Sequence, residues 1–280
     1  MNKDFSVCSL RVIQTLLLIF SIIFLMPVQS RAETLVLIPG FQSKGMDWRL
    51  TQVATALQKR GWVDGGNFTL TRKGMLNPVK QQKRPAKIFY TVDLMTEARV
   101  ADQARMLQEY LQEIYLRRKE PLALTGHSAG GVVARHWLVT ANNVPVNALI
   151  TIASPHLGTP LAELSSVLSN SREIIELAEV LGFGHLPKAR GLFRDLSEEK
   201  SGSYLFWLNR QTHPDIRYVS VVRSSEQPDN SDVVVPVSSQ DMNNVFALRN
   251  RSERWETEKG HFLGADDGYL LDWVMGQLKL

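Results

Sequence analysis

Cysteine is almost missing from this chain. Among its 280 residues there is one, Cys8, and it precedes an apolar run over 12–26. No disulfide can therefore form within the chain, and its core must hold the fold alone, which is feasible at this size. Cys8 also lies on the wrong side of the apolar run to carry a lipid. Long apolar runs are absent beyond residue 26, which excludes a later membrane-spanning helix. A strong charge of one sign is missing too. The net charge is +4, of which Lys3, Arg11 and Arg31 against Asp4 supply +2, leaving +2 on the rest. That balance excludes the basic footprint of a nucleic-acid binder. There is no internal repeat and no low-complexity tract.

What is present is an ordinary globular composition, 44% hydrophobic and 21% charged, enough for a packed core. The N-terminus stands apart. Basic residues flank the apolar run, Pro27 follows, and Ser30 and Ala32 have signal-peptidase spacing, so 1–32 reads as a signal peptide cleaved after Ala32. The alternative is an uncleaved N-terminal membrane anchor. The remainder, 33–280, reads as one α/β domain.

Short β-rich apolar runs predict strands at 34–38 (TLVLI), 87–92 (KIFYTV), 121–125 (PLALT), 148–153 (ALITIA) and 216–222 (IRYVSVV). Helical spacing predicts helices at 48–60 and 101–118, another after Gly131, and a last one carrying Tyr269, Trp273 and Leu278. Strands alternating with helices imply a mostly parallel sheet covered on both faces. The segment 160–184 breaks the alternation. It is helical in pattern, with Leu161, Leu164, Val167, Leu168, Ile174 and Leu181, and is a candidate lid. Arg72, Lys73, Lys80, Lys83, Arg84 and Lys87, with Gly74, Pro78 and Pro85 among them, predict a basic surface loop suited to peripheral contact with anionic lipid headgroups.

The chemistry concentrates at Gly126-His127-Ser128-Ala129-Gly130, a G-x-S-x-G motif. Alone the pattern is common. Here it follows a predicted strand and opens a predicted helix, the context that a serine on a sharp strand-to-helix turn requires. The flanking glycines remove side chains where strand and helix crowd together. A serine hydroxyl needs a base, and the base needs an acid to orient it. Around such an elbow the chain order is Ser, then Asp or Glu, then His. That order leaves His261 out of six histidines, because the others precede the last predicted strand or sit in the elbow and its helix. Glu226, Asp229 and Asp232 follow that strand. Asp232 is favoured because the apolar run at 233–237 would pin its loop. Backbone N–H groups for an oxyanion are expected from Ala129 and from the turn after the first strand, at Phe41 with Gln42 as the fallback.

These residues together resemble the bacterial lipase and esterase branch of the α/β-hydrolases, which includes triacylglycerol lipase-like proteins and relatives of the GPI inositol-deacylases. The likeness covers 34–280. Ser154-Pro155-His156-Leu157-Gly158-Thr159-Pro160 matches a stretch such lipases carry, which implies a structural His156. The segment 192–208, with its Gly202-Ser203 pair, resembles another part of those proteins. Asp232-Val233-Val234-Val235-Pro236 looks like their acid motif and Gly260-His261-Phe262 like their base motif. Where those families place His-Gly after the first strand, this chain has Pro39-Gly40. The N-terminal signal implies export to the periplasm or medium. The resemblance implies an α/β-hydrolase fold and an ester hydrolase using Ser128, Asp232 and His261 through an acyl-enzyme, with a small-molecule or lipid ester as substrate. It implies no cofactor, and no acidic pair suggests a structural metal. An acyltransferase would share the same three residues. A catalytically silent binding protein is the remaining alternative, against which the intact Ser, Asp and His argue.

Overall fold

A computed structural model describes residues 33–79, 84–141, 143–160, 186–224, 232 and 234–278. The predicted signal peptide, the candidate lid over 160–184 beyond its first residue, and Glu226 and Asp229 lie outside the described residues.

Eight strands form one sheet: β1 (Glu33–Ile38), β2 (Val63–Thr71), β3 (Gly74–Leu76), β4 (Lys87–Val92), β5 (Leu122–His127), β6 (Val146–Ile152), β7 (Arg217–Arg223) and β8 (Ser252–Thr257). Their order is β3-β2-β4-β1-β5-β6-β7-β8. Every pairing is parallel except the β2–β3 hairpin at one edge. Strands β1, β5 and β6 are buried nearly throughout, which is why they read as continuous apolar runs rather than alternating ones. Their alternate residues feed two cores. Val36, Ile38, Leu124 and Leu149 face one; Leu35, Leu37, Ala123 and Ile150 face the other.

The helices are α1 (Asp47–Leu50), α2 (Val53–Lys59), α3 (Val100–Arg118), α4 (Ala129–Thr140), α5 (Arg190–Asp195), α6 (Tyr204–Leu208), α7 (Val237–Gln240) and α8 (Ala265–Leu278). The stripe of α3 through Ala104, Leu107, Leu111 and Ile114 packs with α4 on the first core. On the opposite face α2 and α8 pack against each other. Gly268 there stands against the Val53 carbonyl, where any Cβ would collide. The Asp272 carboxylate of α8 accepts from Arg60 Nε at 2.8 Å and Trp62 Nε1 at 2.9 Å. The start of α3 is capped from afar: buried Asp195 accepts the Val100 N–H at 3.0 Å, satisfying a donor that has no partner inside the helix.

Three expectations are corrected. The helix over 48–60 is two helices, because Gln52 adopts a left-handed φ of 68° between them. Three strands went unread: β2, β3 and β8. The basic segment is not one loop. Arg72 and Lys73 lie in the exposed β2–β3 turn, but Lys87 belongs to β4 and holds Asp272 at 3.2 Å, while Arg84 holds Glu120 at 3.0 Å. Those largely buried carboxylates need cationic partners, and they draw Arg84 and Lys87 to the sheet edge opposite the β2–β3 turn.

Candidate active site

Strand β5 ends at His127, and Ser128 turns the chain into α4 with φ 51° and ψ −129°. A non-glycine residue held there stores about 1–3 kcal/mol of strain. Three glycines make the turn geometrically feasible. A Cβ on Gly126 would fall on the Gly131 backbone, and one on Gly131 would fall on Ser154. A Cβ on Gly130 would stand 2.5 Å from the Pro39 carbonyl oxygen and 2.8 Å from that of Ile38. The Ser128 N–H bonds the Ile152 carbonyl at 2.8 Å, tying the elbow to β6. The elbow sits beside β1, where the strand order changes direction, the usual place for a site in such a sheet.

Gly130→Ala is accordingly expected to push the 39–41 turn away from the serine. It should cost about 1–3 kcal/mol of stability, as overpacking does, together with a larger loss in reactivity of Ser128. Thermal melts and serine-directed labelling rates measure the two separately.

The structure brings Ser128, His261 and Asp232 together from segments remote in sequence. Ser128 Oγ lies 3.0 Å from His261 Nε2, and His261 Nδ1 lies 2.9 Å from Asp232 Oδ2. An ionised carboxylate only accepts, so Nδ1 carries the proton and Nε2 is left to accept from the serine hydroxyl. The Asp232 carboxylate is fully buried. Its Oδ1 accepts the N–H groups of Val234 at 2.8 Å and Val235 at 2.9 Å. Val234 and Val235 therefore fold back over this carboxylate.

Phe41 and Ala129 flank the serine from two sides. A Cβ added to Gly40 would lie 2.9 Å from Ser128 Cβ, so the 39–41 backbone passes directly against Ser128. Ala129 is the first residue of α4. The Phe41 ring packs on Phe193 at 5.0 Å between centroids, holding that turn down. Gln42, the fallback, adopts φ 54° one residue beyond.

Two histidines in the motifs have other work. His127 lies beside His261, ring centroids 5.2 Å apart, and its Nε2 donates to the His261 carbonyl oxygen at 2.9 Å. It pins the His261 loop to the elbow, a role that only long-range contact reveals. Burial, then the neighbouring His261, push His127 down to about 3, so its ring is neutral. His156 is wholly buried and its Nδ1 accepts from Arg135 Nη1 at 3.0 Å. Its Nε2 then donates to Thr151 Oγ1 at 3.1 Å. Arg135 also donates to His213 Nε2 at 3.3 Å. Burial and the Arg135 charge hold His156 well below the usual imidazole range, and they lower His213 to about 4.

Among the described residues no group of three or more His, Cys, Asp or Glu is placed to hold a metal ion, and no helix is long and apolar enough to cross a membrane.

Residues 29–177 match the family model of the PGAP1-like alpha/beta domain. A stretch of 68 residues, 21% of this chain, is 38% identical to a GPI inositol-deacylase of Debaryomyces hansenii, and it spans only 7% of that protein's length. Among solved structures the chain is similar to the mature lipase BlEst2 of Bacillus licheniformis, with TM-score 0.62 and 16% identity, covering 91% of this chain and 95% of that one. It is also similar to the lin2722 gene product of Listeria innocua, with TM-score 0.56 and 14% identity over 89% and 91% of the two chains. At these identities the likeness is one of fold, that of the α/β-hydrolases.

Proposed function

Because the chain belongs to the family of PGAP1-like alpha/beta domains, we propose that it is an exported carboxylic ester hydrolase in which Ser128 is the nucleophile. The observation that carries this reading is the continuous relay from Asp232 through His261 to Ser128 Oγ, with both links within direct proton-transfer reach. Ser128 Oγ attacks the ester carbonyl carbon while His261 Nε2 takes its proton. The backbone N–H groups of Phe41 and Ala129 meet the oxyanion. His261 then returns the proton to the departing alcohol, leaving an acyl group on Ser128. A water molecule, deprotonated by the same imidazole, releases the acid and restores the serine. Asp232 holds the required tautomer and balances the imidazolium.

An apolar acyl chain fits the surroundings. Phe262, next to the base, is 70% exposed. Met46 and Met95 are also exposed, in segments following the C-terminal ends of β1 and β4, the sheet edge that carries Ser128. The basic β2–β3 turn with Arg72 and Lys73 shares that edge and suits an anionic membrane surface. Residues 1–32 would direct export, and 33–280 would form the hydrolase domain.

The test is a fluorophosphonate probe on the purified protein, read by intact mass and peptide mapping, followed by a panel of esters of graded acyl length. A single adduct on Ser128 and turnover rising with acyl length are expected. No adduct on folded protein would overturn the reading in favour of a binding protein. Product analysis with an added acceptor alcohol separates the acyltransferase alternative: ester formation outpacing hydrolysis in dilute alcohol would reassign the reaction.

A further inference from the structure

The acid has a partner that no motif marks. Gln240, the last residue of α7, is 1% exposed. Its Oε1 accepts the N–H of Arg223, the last residue of β7, at 2.7 Å. A backbone N–H can only donate, so this bond fixes which end of the amide is oxygen. The amino end therefore faces the other way. It donates to the Val235 carbonyl at 2.8 Å and to Asp232 Oδ2 at 3.1 Å, the oxygen that also accepts from His261.

We propose that Gln240 is a positioning residue for the Asp232–His261 pair: a neutral amide, referenced to the end of β7, that holds Asp232 Oδ2 in line with the imidazole without cancelling its charge. The proposal rests on the reading of Ser128, His261 and Asp232 as catalytic. Four donors then fill the carboxylate, two on each oxygen, and its rotation is locked. A cationic residue at the same place would orient the acid equally well, but it would weaken the attraction that stabilises the imidazolium. The guanidinium of Arg223, whose backbone Gln240 holds, is instead neutralised by buried Asp267, to which Nη2 donates at 2.6 Å. Lys259 approaches the same Asp267 at 3.9 Å, and His127 faces the His261 ring as a neutral donor. The amide thus leaves the negative charge of Asp232 to act on His261.

Gln240→Glu tests this with little change of shape. It keeps an acceptor for Arg223 N–H and sets a second carboxylate oxygen against Asp232. That charge favours the imidazolium, so the base is free only at higher pH. Ester turnover at neutral pH should fall about threefold, and about tenfold well below the limb, with KM nearly unchanged, and the acid limb of the pH profile of kcat/KM should move up by about one pH unit. In an Asp232→Asn background the same change should cost less than about twofold, because its target is gone. An unmoved limb, or equal losses in both backgrounds, would reduce Gln240 to a packing residue and overturn the proposal. Should the variant not fold, the Gln240 side-chain amide resonances of the wild-type protein carry the test. They should shift in step with the acid limb, and static resonances would overturn the assignment. The parent reading fails separately: it falls if wild-type Ser128 takes no fluorophosphonate, whatever Gln240 does.

Discussion

Alanine at Ser128 will leave a folded protein whose ester turnover is lower by about 10⁶-fold, the scale on which serine nucleophiles are missed in other hydrolases. The side chain lost is only a hydroxyl, and its one described partner is His261 Nε2. Stability should therefore stay close to wild type, since the backbone strain at φ 51° belongs to any residue with a Cβ at that position. His261→Ala should lose a similar factor, and the double variant no more than either single one, because a nucleophile without its base is as inert as a base without its nucleophile. Asp232→Asn should lose about 10⁴-fold, by favouring the wrong imidazole tautomer. Initial rates on one ester, with melts of each variant, decide the matter. Losses that multiply in the double variant would mean that the two side chains act independently, and the relay would be abandoned.

The second large effect is on stability below neutral pH. His127 and His156 are buried as neutral rings, the first lowered to about 3 and the second well below the usual 6.5. As pH falls through 6.5 the unfolded chain takes up protons at these sites and the folded chain does not. Stability is thus fully present above 6.5 and is lost as pH falls from there toward the folded values. At pH 4.5 the His127 site costs about 2.7 kcal/mol, and His156 adds a loss of the same sign. That is a sizeable fraction of the stability of many domains. His213, lowered to about 4, acts in the same sense. Asp272, whose pairing with Arg60, Trp62 and Lys87 outweighs its burial, loses its contribution only below its ordinary 3.8, outside this window. Glu33, pushed up by burial, works weakly in the opposite direction. Denaturant midpoints should be flat above pH 7 and fall steeply between pH 6 and 4.5, with His127→Gln flattening the slope by about one proton. A midpoint unchanged down to pH 4.5 would refute the assignment of neutral buried rings.

The legible parts of the fold were those whose physics is local. The strands now called β1, β4, β5, β6 and β7 are short β-rich apolar runs because the sheet buries them on both faces, and Ser128 sits in a motif whose spacing is dictated by backbone crowding. The edges were illegible. In β2, Gly65 and Gly66 interrupt the pattern, and they do so where the register shifts between Asp64 and Asn67. Any Cβ on Gly65 would enter the Tyr90 ring, a reason for glycine that only the folded strand reveals. In β8, Ser-Glu-Arg-Trp-Glu-Thr is charged because the strand forms the far edge of the sheet and is partly exposed along its length. Chain order led to His261 and the apolar run to Asp232, and the structure sets His261 between Asp232 and Ser128. His127 and Gln240 could not be found that way. Their partners are fixed by contacts across 134 residues in one case and by a turn of α7 in the other, and neither leaves a spacing to read.

The clasp between α2 and α8 bears on timing. Arg60 and Asp272 meet across 212 residues, and the second core is incomplete until Gly268 seats against Val53. A growing chain carries its serine long before it carries His261 or this closing helix. On the proposed reading, the relay from Asp232 to Ser128 closes only after His261 has been made, so reactivity at Ser128 follows the folding of this half of the chain.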